Sequence, residues 1–399
     1  MKPLSIAIAG CGIAGLAAAA LLCKQGARVV LYDKLDAPQP LGSGLILQPV
    51  GMAVLDEIGA GAAMRELGAP IARLFGRAEP SGRVVLDVRY GALGQGAAKG
   101  LGVHRGALFQ LLLDVAIAAG AEFQTNREVI AADAHHLWCA DGRQSARFDL
   151  VIDALGMRSP LVRKRHAVLP FGALWASLEW SGGFDPNALE QRYEAARKMV
   201  GVLPIGRLPG SEKQMAAFFW SLKHADHAAW RATDLGAWKQ EVATLWPQTE
   251  ALLEQIEQHD DLVFAAYAHR TLRSPLSEGV VHLGDSWHCA SPQLGQGANM
   301  ALLDALALAA ALERQPDLQT ALDEYARLRL WHVRLYQAAS WLFTPAYQSD
   351  SIALAWFRDW VMAPVSRLPL APRALAALVA GQVGAPLHAM GMRGERRPA

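Results

Sequence analysis

Gly10, Gly12 and Gly15 are spaced as in a turn that lays bare backbone against a phosphate. The first glycine permits the tight turn and the second lets a pyrophosphate approach the chain. The third, just past Ala14, lets a following helix pack close to the preceding strand. Unpaired amides at that helix start would hold the phosphate charge. Asp33 follows Gly15 by 18 residues, where a carboxylate accepts hydrogen bonds from an adenosine ribose and disfavours a 2′-phosphate. The chemistry is dinucleotide binding, with FAD or NAD preferred to NADP. Some 270 residues further on, Gly284-Asp285-Ser286-Trp287-His288 leads through Pro292 to Gly295-Gln296-Gly297-Ala298-Asn299. This second glycine loop, with a carboxylate just before it, is fit to hold the other end of the same ligand. A separate nicotinamide fold would need another complete glycine fingerprint. Gly94-Gln95-Gly96 lacks both the strand before it and a matching third glycine.

These residues need particular elements around them. The apolar run 4–9 predicts a strand, the alanine-rich stretch Ile13–Lys24 a helix, and Arg28–Tyr32 a second strand ending at Asp33. Residues 280–283 predict a buried strand and 298–312 a strongly apolar helix. Glycines at turn spacing inside the N-terminal apolar stretch argue against a secretory signal or membrane anchor. The 399 residues allow two domains, and 52% apolar against 19% charged residues allow a large core. A net charge of +1 with both signs scattered leaves no footprint for nucleic acid. Cys11, Cys23, Cys139 and Cys289 lie far apart without metal-ligand spacing, which suits reduced thiols in the cytoplasm and no bound metal.

Gly12 and Gly15, Arg105, Gly284-Asp285 and Gly295-Gln296-Gly297 in this order resemble the class A FAD-dependent aromatic monooxygenases typified by para-hydroxybenzoate hydroxylase. The resemblance covers most of residues 1–340. It implies an α/β fold in which a Rossmann-like FAD-binding domain of the glutathione-reductase type carries an inserted mixed β-sheet substrate domain and a helical C-terminal tail. The FAD domain would comprise 1–73, 98–170 and 276–340, the substrate domain 74–97 and 171–275, and the tail 341–399. It further implies noncovalent FAD, with Asp285 on the ribityl chain and Gly297, Ala298 and Asn299 along the isoalloxazine. Arg105, before a helix over 107–118, would reach the diphosphate or ribityl region, and Gly42-Ser43-Gly44-Leu45 would run beside the flavin ring. Val129 is a candidate for the adenine side, with a plain strand valine as the alternative.

One departure stands out. Where the family continues its strand 149–152 into Ala-Asp-Gly, this chain reads Asp153-Ala154-Leu155-Gly156, so leucine replaces the acid. Asp153 would compensate only if the loop shifted. No Trp-x-Trp-x-Ile-Pro segment is present, which disfavours a halogenase.

On the substrate side, strands are expected over 83–90, 174–180 and 215–222, with Trp175, Phe219 and Tyr267 as candidate pocket walls. His288 is a candidate for a hydrogen bond near flavin or substrate, against a purely structural histidine. The apolar, proline-punctuated tail resembles that of quinone-ring hydroxylases, which handle greasy substrates near membranes. Packing back on the flavin domain, or a homodimer interface in place of a monomer, is favoured over peripheral membrane contact. No run reaches the roughly 18 apolar residues of a spanning helix.

The resemblance implies that NADH or NADPH reduces the flavin, that O2 forms a C4a-hydroperoxide, and that one oxygen atom passes to a hydrophobic aromatic or quinolone-like molecule. Two alternatives remain: a flavin-dependent reductase or dehydrogenase without oxygen insertion, and a non-catalytic carrier of the same fold.

Overall fold

In the computed structural model, residues 3–36, 43–164 and 166–392 are described. A six-stranded sheet runs Leu276–Ser277, Val280–His282, Leu150–Asp153, Ser5–Ala9, Arg28–Tyr32, Glu122–Gln124, and is parallel apart from its first pair. Ser5–Ala9 sits centrally, with Ile6 opposite both Leu150 and Val29. Its residues are buried apart from a half-buried Ser5, as expected of a strand covered on both sides. The helix Ile13–Lys24 is apolar all round and buried from Ala14 to Leu22. Alanine favours the helix and, being small, lets the helices Arg105–Ala118 and Gly297–Arg314 pack close against it.

The second sheet has eight strands in the order His288–Cys289, Val263–Thr271, Ala167–Glu179, Met215–Lys223, Lys198–Gly206, Ala188–Glu194, Arg73–Glu79, Arg83–Arg89. Its third strand starts at Ala167, and His288–Cys289 forms its edge. Beyond the strands expected in 171–275, the segment also contains helices His227–Arg231, Leu235–Leu245 and Glu250–Leu253. Trp230, Trp238 and Trp246 from this insertion pack on Leu174, Ala176, Phe218 and Trp220 and bury one face of the sheet. Because side chains alternate along a strand, Trp175 and Phe219 point to the opposite face.

A three-stranded sheet of Gly44–Leu47, Gly100–His104 and Ala69–Ile71 lies at the seam. Contact there is backbone-close: a Cβ on Gly102 would fall 2.0 Å from the Pro204 carbonyl oxygen, and one on Gly44 2.4 Å from Ile205. The helix Leu318–Tyr347 packs along Gly297–Arg314, and the chain then returns through Ile352–Phe357 to Ala371–Val379. Ala376, Val379 and Ala380 join Ile46, Tyr90 and Ile205 in one apolar cluster, so the tail packs back on the body. Among the described residues, no helix is long and apolar enough to cross a membrane.

Candidate active site

The three N-terminal glycines differ in what surrounds them. Gly10 has φ +104°, and a Cβ there would lie 2.5 Å from the Ala154 carbonyl oxygen. A Cβ on Gly15 would lie 2.0 Å from the Gly10 carbonyl oxygen, so strand and helix meet only because it is absent. At Gly12 a Cβ would meet nothing within 4 Å: that position opens onto a cavity, which Ile13 and Ala14 also line. The first bond of the following helix runs from Leu16 N to Gly12 O, which leaves the amides of its first turn without helical acceptors. Asp33 braces this loop from the second strand, its carboxylate accepting from Cys11 N and Leu35 N, both at 2.9 Å.

The second loop faces the same cavity. Gly295 has φ +61° after the turn Pro292–Leu294, and the first bond of the helix Gly297–Arg314 joins Met300 N to Gln296 O. The amides of Gly297, Ala298 and Asn299 therefore have no helical acceptor. Pro292, Gly295, Gly297 and Ala298 line the cavity, and a Cβ on Gly297 would again meet nothing within 4 Å. The Asn299 side chain does not line it. It is fully buried, accepting from Gln48 N at 2.8 Å and donating to Ile46 O and Gly295 O, so it clamps the loop instead.

Between the two loops stand Arg105 and Asp285, both opening onto the cavity. The Asp285 carboxylate has no hydrogen-bond partner among the described residues, whereas Arg270 holds its carbonyl at 3.0 Å. Desolvation raises its carboxyl above the ordinary range, against the pull of His288, Arg105 and Arg270. Desolvation likewise lowers the Arg105 guanidinium, partly offset by Asp285. Two opposite charges that face the cavity and are only loosely paired are suited to a polyhydroxyl and diphosphate ligand.

Beneath this floor lies a buried network with no counterpart in the sequence reading. Asp304 accepts from Gly284 N at 2.8 Å, from His288 Nε2 at 2.7 Å and from Arg329 Nε at 2.7 Å. These partners hold its carboxyl below the ordinary range even though burial alone would raise it. His288 is therefore spent on Asp304 and does not line the main cavity, which makes it structural. Arg329 continues to His332 Nδ1 at 2.9 Å, and His332 Nε2 reaches the Gly381 carbonyl at 3.2 Å. A guanidinium only donates and a carbonyl only accepts, so the imidazole must be neutral with its proton on Nε2. Burial and Arg329 push its pKa down to about 3. Asp304, the one carboxylate inside an otherwise apolar helical stretch, was the signal available in the sequence.

Val129 pairs with Cys139 and packs among Tyr32, Leu137 and Phe148, away from the cavity; it is a strand valine. Gly44 and Leu45 line the cavity, whereas Gly42 lies outside the described residues. Asp153 does not replace the missing acid. It is fully buried, accepting from Leu155 N at 3.0 Å, Ser159 Oγ at 2.7 Å and His282 Nδ1 at 2.8 Å.

The cavity measures about 850 Å³ and runs unbroken from the glycine loops to the second sheet. Trp175, Phe219 and Tyr267 wall it there, the Trp175 ring stacked on Phe219 at 4.6 Å with its Nε1 donating to Tyr267 Oη at 3.0 Å. Tyr193, Tyr347, Met362 and Leu375 complete this end, and none was anticipated. The open backbone at Gly12 and Gly297, the free amides and the unpartnered Asp285 together fit a dinucleotide.

The FAD binding domain family model matches residues 4–336. The chain is 24% identical over 377 residues to the aurachin C monooxygenase/isomerase of Stigmatella aurantiaca, covering 91% of this chain and 94% of that protein. It is 28% identical over 394 residues to a putative 2-heptyl-3-hydroxy-4(1H)-quinolone synthase of Rhodococcus erythropolis, covering 94% and 91%. In fold it is similar to 2-methyl-3-hydroxypyridine-5-carboxylic acid oxygenase, with a TM-score of 0.79, 21% identity and coverage of 97% and 98%. The chain belongs to the FAD binding domain family, among the flavin monooxygenases similar to para-hydroxybenzoate hydroxylase, and is an FAD-dependent oxidoreductase.

Proposed function

We propose that the protein uses NADH or NADPH and O2 to hydroxylate an uncharged, hydrophobic aromatic or quinolone-like small molecule. The observation that carries this reading is the single cavity joining the FAD loops to an aromatic wall. Its charged lining residues are Arg105 and Asp285 at the cofactor end and Asp87, which is neutralised by Arg73 at 2.7 Å and Arg89 at 3.2 Å. The substrate end thus presents no unpaired charge to hold a carboxylate, and one of the relatives named above is a putative quinolone synthase, which supports a quinolone-like substrate.

Bound FAD supplies electron storage and oxygen activation. The chain supplies position and dryness. The amides of 297–299 would stabilise negative charge on the bound flavin, and Arg105 with Asp285 would hold its diphosphate and ribityl end. The stacked Trp175–Phe219 pair, fixed by Tyr267, orients the substrate ring, and the tail helix Ala371–Val379 closes the far wall against water. The four free cysteines favour a cytoplasmic location. The test is an absorption spectrum followed by oxygen uptake with NADH and NADPH across phenols, quinolones and indoles. Uptake stimulated by one substrate class, with a hydroxylated product, supports the proposal.

Leu155 favours a second reading. With no carboxylate at that position and Asp153 committed inside the sheet, the chain is also suited to reducing a hydrophobic substrate without oxygen insertion. Anaerobic turnover with no substrate-dependent oxygen uptake would favour this reading.

A further inference from the structure

Exposed large apolar side chains are concentrated in one part of this protein. Among the described residues they number sixteen, and twelve fall within residues 331–370. On the helix Leu318–Tyr347, Trp331, Leu335, Ala338, Trp341 and Leu342 are exposed along one face, while Val333, Tyr336, Ser340 and Thr344 are buried on the other. The helix Ile352–Phe357 packs against it and adds Ile352, Leu354, Trp356 and Phe357, followed by Trp360, Leu368 and Leu370. Four of the exposed side chains are tryptophans: Trp331 and Trp341 are 81% and 71% exposed. Single exposed hydrophobics need no explanation, but a continuous concentration of this kind does.

The charges within the same stretch have one sign left over. Its acids are neutralised: Asp350 pairs with Arg197 at 3.0 Å and Lys223 at 2.7 Å, and Asp359 with Arg358 at 2.7 Å. Arg334, Arg367 and Arg373 are exposed and have no ion pair among the described residues. Tryptophan rings beside unpaired arginines are the composition of a surface seated at the headgroup level of an anionic bilayer. A second copy suits it less well. A two-fold interface sets a patch against itself, bringing three unpaired arginines from each copy together with no free carboxylate in the patch to meet them.

The surface is also continuous with the cavity. Met362, Val365, Ser366, Ala371, Ala374 and Leu375 line the cavity, and the same short stretch carries Trp360, Leu368 and Leu370, which do not. We propose that residues 331–373 form a docking surface for an anionic lipid bilayer, seating the protein with this end of its cavity towards the lipid. The use of that seat, uptake of an apolar substrate dissolved in the membrane, rests on the hydrophobic-substrate reading above; the docking itself does not.

The test floats the FAD-loaded protein with phosphatidylcholine vesicles with and without phosphatidylglycerol, at low and high salt, alongside light scattering of the vesicle-free protein. Flotation only with the anionic vesicles, weakened by salt, is expected. Arg334→Ser and Arg373→Ser should each weaken partition roughly fivefold. The double variant Trp341→Ser/Trp356→Ser should abolish flotation while flavin absorbance is unchanged. Failure to float with either vesicle overturns the proposal. So does a stable dimer that the tryptophan variant converts to monomer, which would make the surface an interface between copies. Neither readout requires a substrate, so failure here is separable from failure of the hydroxylase reading.

Discussion

Replacing Asp285 by alanine should weaken FAD binding and leave the apoprotein fold intact. The carboxylate has no hydrogen-bond partner among the described residues and faces the cavity beside Arg105. What it would lose is therefore a bond to the ligand. A charge-assisted hydrogen bond contributes about 1.5–3 kcal/mol, a rise in Kd of roughly tenfold to 150-fold. The lower half of that range is expected, because the carboxylate faces the open cavity and must give up its water when FAD binds. The apoprotein melting temperature should stay level, since the carboxylate makes no hydrogen bond within the fold among the described residues. Asp285→Asn, which keeps an acceptor oxygen, should fall between wild type and alanine. The raised carboxyl gives a second readout. Acidification protonates Asp285 before ordinary carboxylates, so wild-type FAD affinity should fall in a window beginning above their usual pKa, about 4. Asp285→Asn should show no such step. FAD titration followed by flavin fluorescence, with apoprotein melting in parallel, measures both. An unchanged FAD affinity, or an apoprotein that melts markedly earlier, would refute the assignment.

Three further outcomes follow from the geometry. Gly12→Ala should fold normally and retain FAD poorly, since its Cβ meets only the cavity; Gly15→Ala, which drives a Cβ into the Gly10 carbonyl, should lose about 3 kcal/mol or more of stability. Urea denaturation of the apoproteins and flavin content of the purified variants separate the two. His332, neutral in the fold with a pKa of about 3, opposes acidification: the unfolded chain binds a proton near pH 6.5 and the folded chain does not. Its contribution should be fully present above about pH 6.5 and be lost at up to about 1.4 kcal/mol per pH unit as pH falls towards 3. Comparing urea midpoints of wild type and His332→Gln across that range checks it, since the variant should lack that share of the slope. Asp304→Asn should destabilise the apoprotein by about 3–5 kcal/mol, because it leaves Arg329 buried beside a neutral amide. Calorimetry of the apoprotein reads that loss, in contrast to the level result for Asp285.

The dinucleotide end was legible because its demands are local. A strand, three glycines at turn spacing, an apolar helix and an acid after the next strand each follow from adjacent residues, and the helix Ile13–Lys24 lies at the expected bounds. The fold class followed from the same alternation of strand and helix. What escaped depends on residues remote in sequence. Asn299 and His288 carry the right chemistry for a ligand, yet their polar atoms are taken by Gln48 and Asp304, pairings that one segment cannot disclose. The helices within 227–253 have a local signal of their own that the strand expectations do not cover. Leu235, Trp238, Val242 and Leu245 recur at helical spacing behind Asp234, whose carboxylate caps the turn at Ala237 N. The cavity wall formed by Met362 and Leu375 depends on how the tail folds back, which no local pattern dictates.

The order of strands sets a schedule for synthesis. The central strand Ser5–Ala9 is made first, but its neighbour Leu150–Asp153 must itself be flanked by Val280–His282. The second glycine loop comes later still, and the Gly381 carbonyl that anchors His332 later again. A chain still on the ribosome can hold the first phosphate loop through some 270 further residues with nothing to close the far side. Flavin capture is thus expected only after the second glycine loop, Gly295–Asn299, has been made. Until Val280–His282 is made, the half-built sheet offers an unpaired edge, which makes chain release or slow synthesis before that strand the hazard for this protein.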